Sequence, residues 1–413
     1  MALVTVIGAG GSTVSLTMTS AANALIAQQL LNGVSQSVQG GSVTPYNYSG
    51  HGPLHAPTGP SMMVLTGPGA VTIPATTGTV FDTSTRRDVL FGGTAASQLI
   101  VAGDTGITYF GNTGSGTVIA GGGDNTIILG GRAHGDDSDD DDRGREHDEG
   151  DDDGRRWRSD HDGHDDHDDH GHHTVPAIGN HLVLTGAGDD RIYALSGNVT
   201  IGAGGGNNTI VLGSGTASVV STGFDDIQAG SGAATIDATA GRDYVSGDAG
   251  TLRFIGGAGA STVFGGSGAV TATGGTGGGV FGGGTDGGNL LQGSTGAVTL
   301  FGAATGDRLL GGTAADRLVA GTGAETLTGG AGADSFTIEK GNGGHDLITD
   351  FTLGTDKLVL DGFNKNEFAN DLKTATTVPG GVSITLSDHT VLTFANLTTT
   401  DLKSITVVSG SNH

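Results

Sequence analysis

Four nine-residue blocks run head to tail from Gly302 to Thr337: GAATGDRLL, GGTAADRLV, AGTGAETLT and GGAGADSFT. Each puts a small residue first, an acid sixth (Asp307, Asp316, Glu325, Asp334) and a large apolar residue eighth (Leu309, Leu318, Leu327, Phe336). Glycine in the first half of a block permits positive φ and close backbone approach, so six residues can make a tight turn. The last three are then extended, with the eighth side chain turned inward. Two blocks make one coil, and each block stacks on the next but one at the ~4.8 Å spacing of neighbouring strands. A chain built this way folds as an all-β parallel β-solenoid.

Upstream at nine-residue steps the apolar eighth position returns at Leu300, Leu290, Phe281, Ala272, Val263, Phe254, Val245, Ile236 and Ile227, then at Val219, Ile210, Ile201, Ile192 and Val183. Before an acidic interruption the same phase gives Ile127, Val118, Thr108, Leu99, Leu90, Phe81, Ile73 and Leu65. Blocks on both sides of the interruption predict about thirteen coils and a rod of roughly 60 Å.

The pattern G-G-x-G-x-D-x-U-x resembles the RTX family of secreted calcium-binding proteins. The resemblance implies a β-roll in which sixth-position carboxylates and turn carbonyls hold Ca²⁺ between coils, in keeping with calcium's taste for oxygen ligands. The segment from Ile338 to Phe363, with Asp346, Asp350 and Asp356, resembles the stretch that closes the calcium-binding roll of serralysin-type proteases and other type I secretion substrates. The resemblance carries calcium binding to Asp307, Asp316, Glu325, Asp334, Asp346, Asp350 and Asp356. In the central coils one edge reads Asp190, Asn208, Asp225, Asp243, and the opposite edge reads Val199, Ala217, Ala234, Leu252. The first edge can hold cations, or its side chains can serve as Asx turns. Beyond Gly381–Phe394, which alternates like a hairpin, Leu397–Val408 matches the place of an uncleaved C-terminal export signal.

Composition narrows the function. The chain has 413 residues with Gly 81 and 5% aromatic residues, and glycine shows no three-residue period, so neither an ordinary core nor collagen is indicated. Net charge of −25 disfavours nucleic acid and favours cations. No cysteine is present, consistent with export without disulfide formation. MALVTVIGAGG lacks a basic leader with a long apolar core, so a cleaved signal peptide is not expected, and no run is long enough for a membrane helix.

The expected organisation is an N-terminal strand, helix and linker over 1–61, solenoid over 62–131, an inserted loop over 132–176, solenoid over 177–337 and a C-terminal β cap with export signal over 338–413. Within the first segment Ser12–Ser20 alternates as a strand. Ala21–Val38 carries Leu25, Ile26, Leu30, Leu31 and Val34 at helical spacing behind a Ser20 N-cap. Gly40–Pro60 reads as a Gly/Pro/Ser linker. This segment either caps the open first coil or docks on a neighbouring molecule. From Arg132 to His173 there are 16 Asp, 2 Glu and 6 Arg, about half the net charge of the chain. His161, His164, His167, His170, His172 and His173 there give a low-specificity site for Zn²⁺, Ni²⁺ or Cu²⁺, or belong to a solvated loop.

No HExxH motif, thiol nucleophile or nucleophile elbow in a strand-turn-helix context occurs, so the serralysin catalytic half is absent and an enzyme is not expected. Two classes remain. One is an extracellular structural subunit (surface layer, filament or biofilm matrix) that assembles with itself and calcium, with cell-surface polysaccharide as a further partner. The other is a soluble binder, either a metal scavenger using the histidine-rich insert or an ice-binding solenoid.

Overall fold

The computed structural model describes residues 1–93, 97–111, 114–130 and 179–409. The repeating part is a parallel β-solenoid of about 15 turns with two strand-bearing faces. The first face starts at Thr44–Tyr48, continues through Ser61–Leu65 and Thr77–Asp82, and its parallel part closes at Val391–Ala395, from which antiparallel strands run on to Thr376–Val378. The second is a 15-stranded sheet from Ala70–Thr72 to Thr406–Ser409. Coils exceed the thirteen expected because both ends of the chain add strands that lack the nonapeptide pattern.

Each face carries one unbroken inward column. On the first face, Ile201 pairs with Val219, Val219 with Ile236, Ile236 with Phe254 and Phe254 with Ala272. On the second, Ile192, Ile210, Ile227 and Val245 follow one another in register. These columns meet in one core that runs the length of the solenoid. After Gly179 the eighth positions named above are buried, except that Leu291 takes the inward place expected of Leu290. In the first coils the expected phase slips by one: Ile100, Val80 and Tyr109 occupy the core where Leu99, Phe81 and Thr108 were expected.

For Phe81 and Leu99, both on the first face, the cause of the slip is the N-terminal segment. Strands β1 (Ala2–Ile7) and β2 (Thr13–Met18) form an antiparallel hairpin, followed by helix α1 (Ala21–Gln39). Ser20 caps α1, accepting the Asn23 N–H at 3.2 Å, and Gly40 follows its last turn. The hairpin and α1 lie along the flank of the first face, not over its open end. Val4, Val6, Leu16, Met18, Ala24, Ala27 and Leu31 pack on Met62, Val64, Phe81, Val101 and Ile119, the outward residues of successive coils. Strands covered on both sides lose the alternation that marks a half-buried strand, and Ser61–Leu65 is buried at every position.

Helix α1 also departs from expectation. Ala24 and Ala27 with Leu31 face the solenoid, while Leu25 is 71% and Leu30 40% exposed. Small side chains let the helix lie close on a flat sheet. Gln28 ties α1 to β1, accepting the Thr5 N–H at 2.7 Å and donating to the Thr5 carbonyl at 3.1 Å. Asn23 donates to the Ala120 and Thr185 carbonyls at 3.3 and 2.8 Å, bridging the coils before and after the insert.

The stretch Gly40–Pro60 is not a linker. It supplies the edge strand Thr44–Tyr48, and Tyr46, Tyr48 and Leu54 pack on the end of the core. Pro45 lies in that strand, where a missing N–H costs no ladder bond on an unpaired edge. At the other end Gly381–Thr385 and Val391–Ala395 form an antiparallel hairpin that adds to the first face beside His345–Ile348. Phe351, Phe363, Phe368 and Phe394 close the core there.

The ladder passes the insert without interruption. Val118 pairs with Val183 and Ile127 with Ile192. Partners there stand 65 positions apart, against 18 in an ordinary coil.

Candidate calcium sites

The sixth residue of each block stands where a turn enters a strand, so block after block aligns the sixth side chains along an edge of the solenoid. The Asp and Asn side chains at this position are buried, and each reaches to the coil before it. On the edge leading into the second face, Asp190 Oδ1 accepts the Asn125 N–H at 2.7 Å and Asn208 Oδ1 accepts the Asp190 N–H at 2.9 Å. Asp225 and Asp243 continue the row at 3.1 and 3.0 Å, and Ser261 Oγ accepts from the Asp243 N–H at 3.2 Å. After a gap at Gly279 the row resumes: Asp316 accepts from Val298, Asp334 from Asp316 and Asp356 from Asp334, at 2.8 to 2.9 Å.

From Val199 onward the other edge is polar only near its C-terminal end. Asn289 accepts the Val270 N–H at 2.8 Å, Asp307 the Asn289 N–H at 2.8 Å and Asp346 the Glu325 N–H at 3.2 Å. Asp350 stands off the rows and takes the N–H groups of Gly329 and Gly330 at 2.9 and 2.7 Å.

The second carboxylate oxygen separates two kinds of acid. Asp307 Oδ2 accepts from Ala303 and Ala304 and Asp356 Oδ2 from Thr352, so these two also brace their own turns, while both oxygens of Glu325 accept from Gly321 of its own turn. By contrast, Oδ2 of Asp190, Asp225, Asp243, Asp316 and Asp334 is buried with no hydrogen-bond partner. The Asx-turn alternative for Asp190 to Asp243 therefore does not describe their main contacts, which run between coils. An anionic oxygen left bare in a desolvated edge is expensive unless a cation meets it.

Burial pushes Asp190, Asp243 and Asp334 up to about 6, and raises Asp225 and Asp316. Glu325 rises to about 8 through burial and then the charges of Asp346 and Asp307, and Asp346 rises to about 7 through burial. A bound divalent cation removes that penalty by compensating the charged form.

Space at the row is set by glycine. A Cβ on Gly311 would come 2.6 Å from Asp316 Oδ2, and one on Gly302 would fall 2.5 Å from Glu325 Oε2. Gly329 stands in the same relation to Asp334. We expect Gly329→Ala to lower calcium affinity while leaving the upstream coils folded. A calcium titration followed by circular dichroism checks this, and an unchanged midpoint refutes it.

Among the described residues no three His, Cys, Asp or Glu side chains converge. A cation here must complete its shell with backbone carbonyls, as the hard-oxygen chemistry of Ca²⁺ allows and that of Zn²⁺ or Cu²⁺ does not favour. The bare oxygens, the glycine-cleared space and the oxygen-only donor set all fit calcium. The acids at 190, 225, 243, 316 and 334 would hold it, with Asn208, Asp307, Glu325, Asp346, Asp350 and Asp356 shaping the same edges.

Sequence reasoning missed Asn289 and Ser261. Asn289 was hidden by the one-residue slip that also misplaced Leu290, and Ser261 by its being a hydroxyl rather than an acid. His161, His164, His167, His170, His172 and His173 lie outside the described residues.

A parallel solenoid edged by rows of buried carboxylates with one oxygen left unbonded is a calcium-binding β-roll. The sequence profile described as the RTX calcium-binding nonapeptide repeat matches residues 184–217, 220–251, 283–318, 301–336 and 310–348. The chain thus carries RTX calcium-binding nonapeptide repeats, and no catalytic domain is detected beside them. No curated protein and no solved structure matches the chain significantly. No helix among the described residues is long and apolar enough to cross a membrane.

Proposed function

We propose that the protein is a secreted, non-enzymatic rod that folds on meeting extracellular calcium and assembles with copies of itself as a structural subunit of a surface layer, filament or biofilm matrix. The observation that carries the calcium step is the row of bare Oδ2 atoms from Asp190 to Asp334. At cytosolic calcium those carboxylates oppose folding, which suits a chain exported unfolded through a type I route. At extracellular concentrations cations join them.

Support for self-assembly comes from the outer side of the second face. Phe91, Phe110, Ile128, Tyr193 and Val211 follow one another in register there. The rings of Phe91 and Phe110 stack at 5.1 Å, with Phe91 40% and Phe110 36% exposed. On the first face the equivalent apolar strip is covered by the chain's own N-terminal segment. An uncovered strip of this kind marks a contact surface.

Negative-stain electron microscopy in a few millimolar CaCl₂, with an EGTA control, tests the reading. Filaments or lattices that require calcium are expected, and they persist after deletion of residues 132–173. Dispersed short rods in both buffers would overturn the assembly step and direct attention to metal uptake by the insert.

A further inference from the structure

Asp82 and Asp88 bracket the turn Thr83–Arg87, ahead of the insert and outside every stretch matched by the nonapeptide profile. Register places Asp82 between Leu65 and Ala102, two core side chains, and Asp88 beside the core residue Ile107. Both carboxyls are therefore turned into the solenoid, with Asp82 2% and Asp88 0% exposed. Asp82 Oδ1 accepts the Ser84 N–H at 2.9 Å and Asp88 Oδ1 accepts the Gly69 N–H at 2.7 Å. Each Oδ2 is buried with no partner.

The two groups stand against each other. Burial and then the Asp88 charge lift Asp82 to about 8. No basic side chain answers them: Arg87 turns away to the Asp124 carbonyl at 2.7 Å, and among the described residues neither Arg86 nor Arg87 forms an ion pair. With no basic side chain beside them, two coupled acids buried this deeply need a shared proton or a cation between them. Their bonding, one oxygen on a backbone N–H and the other free, repeats that of Asp190, Asp225, Asp243, Asp316 and Asp334. Beside them a cleft of ≈ 350 Å³ at the seam with β2 has Leu3 and Leu16 of the hairpin on one side and Asp82, Ser84, Thr85 and Asp104 on the other, so oxygen-bearing side chains flank the turn.

We propose that Asp82 and Asp88 hold a divalent oxygen-seeking cation, Ca²⁺ by its chemistry, pinning the turn between them under the N-terminal hairpin. This adds an anchored site to a part of the rod whose edges are otherwise almost free of acids.

Calorimetric titration of the full-length protein with CaCl₂ tests the site in four forms: wild type, Asp82→Asn, Asp88→Asn and Asp316→Asn. Asparagine keeps the oxygen that accepts from Ser84 or Gly69, so the fold is retained, and circular dichroism verifies it. Asp82→Asn and Asp88→Asn should each bind one Ca²⁺ fewer, with a smaller calcium-induced rise in Tm and no further loss when combined. Wild-type stoichiometry in both, together with higher melting in EGTA, would overturn the proposal and identify a pair sharing a proton. A loss at Asp316→Asn alone likewise overturns this site while leaving the calcium reading of the repeats intact. No calcium uptake by the wild type overturns both.

Discussion

Asp316→Asn raises the calcium concentration at which the protein folds by about tenfold or more, the scale set by removing one anionic ligand, and Asp139→Asn leaves it unchanged. Asp316 Oδ1 holds the Val298 N–H at 2.8 Å, a bond that an asparagine oxygen can keep, while Oδ2 is one of the bare oxygens. The substitution thus removes charge and little else. Its effect reverses with conditions: in EGTA the variant melts no lower than wild type, because burial already penalises the Asp316 anion. Asp139 belongs to a stretch that the strand ladder bypasses. Calcium titrations monitored by circular dichroism separate the two variants, and equal folding midpoints would remove the sixth position from the calcium assignment.

The second large effect is on pH. Without calcium, melting temperature should fall as pH rises from about 4 to about 8. Asp190, Asp243 and Asp334 at about 6, Asp346 at about 7 and Glu325 at about 8 all lie above ordinary carboxyl values. The folded state binds these protons more tightly than the unfolded chain does, so their contribution is complete below the unfolded values. It is lost as pH climbs through the folded ones. In millimolar calcium the slope should flatten or invert over the same window, because the ligating form is the anion. Melting curves at pH 4.5, 6 and 8 with EGTA or CaCl₂ check this, and an EGTA series that rises with pH would contradict it.

How far the sequence could be read depended on which side of a strand faced water. From Gly179 onward most strands keep one side open to solvent, so Ile192, Ile201, Val219 and Phe254 announce themselves by period alone. In the first coils Met62, Val64 and Phe81 are buried under β1, β2 and α1 while Met63 and Val80 fill the core. A strand apolar on both sides carries no phase, which is why the nine-residue period points to Phe81 and not to Val80. The resting place of α1 was equally hidden, since Ala24 and Ala27 carry no apolar signal beside Leu25 and Leu30. At the candidate sites the acids were legible because the repeat fixes their place. Which of them also brace their own turn, as Asp307 and Asp356 do, and which keep an oxygen bare depends on turn geometry that one letter per residue does not encode.

The jump from Val118 to Val183 has a consequence for what this protein tolerates. Neighbouring strands meet across it as they do across any other coil, and Asn23 fastens both sides from outside. The joint therefore behaves as a socket: its walls are complete whatever is plugged into it, and the closure cost of a longer segment grows only with the logarithm of its length. Sequence placed there is free to drift, lengthen or be exchanged for a different cargo without unpairing the strands on either side.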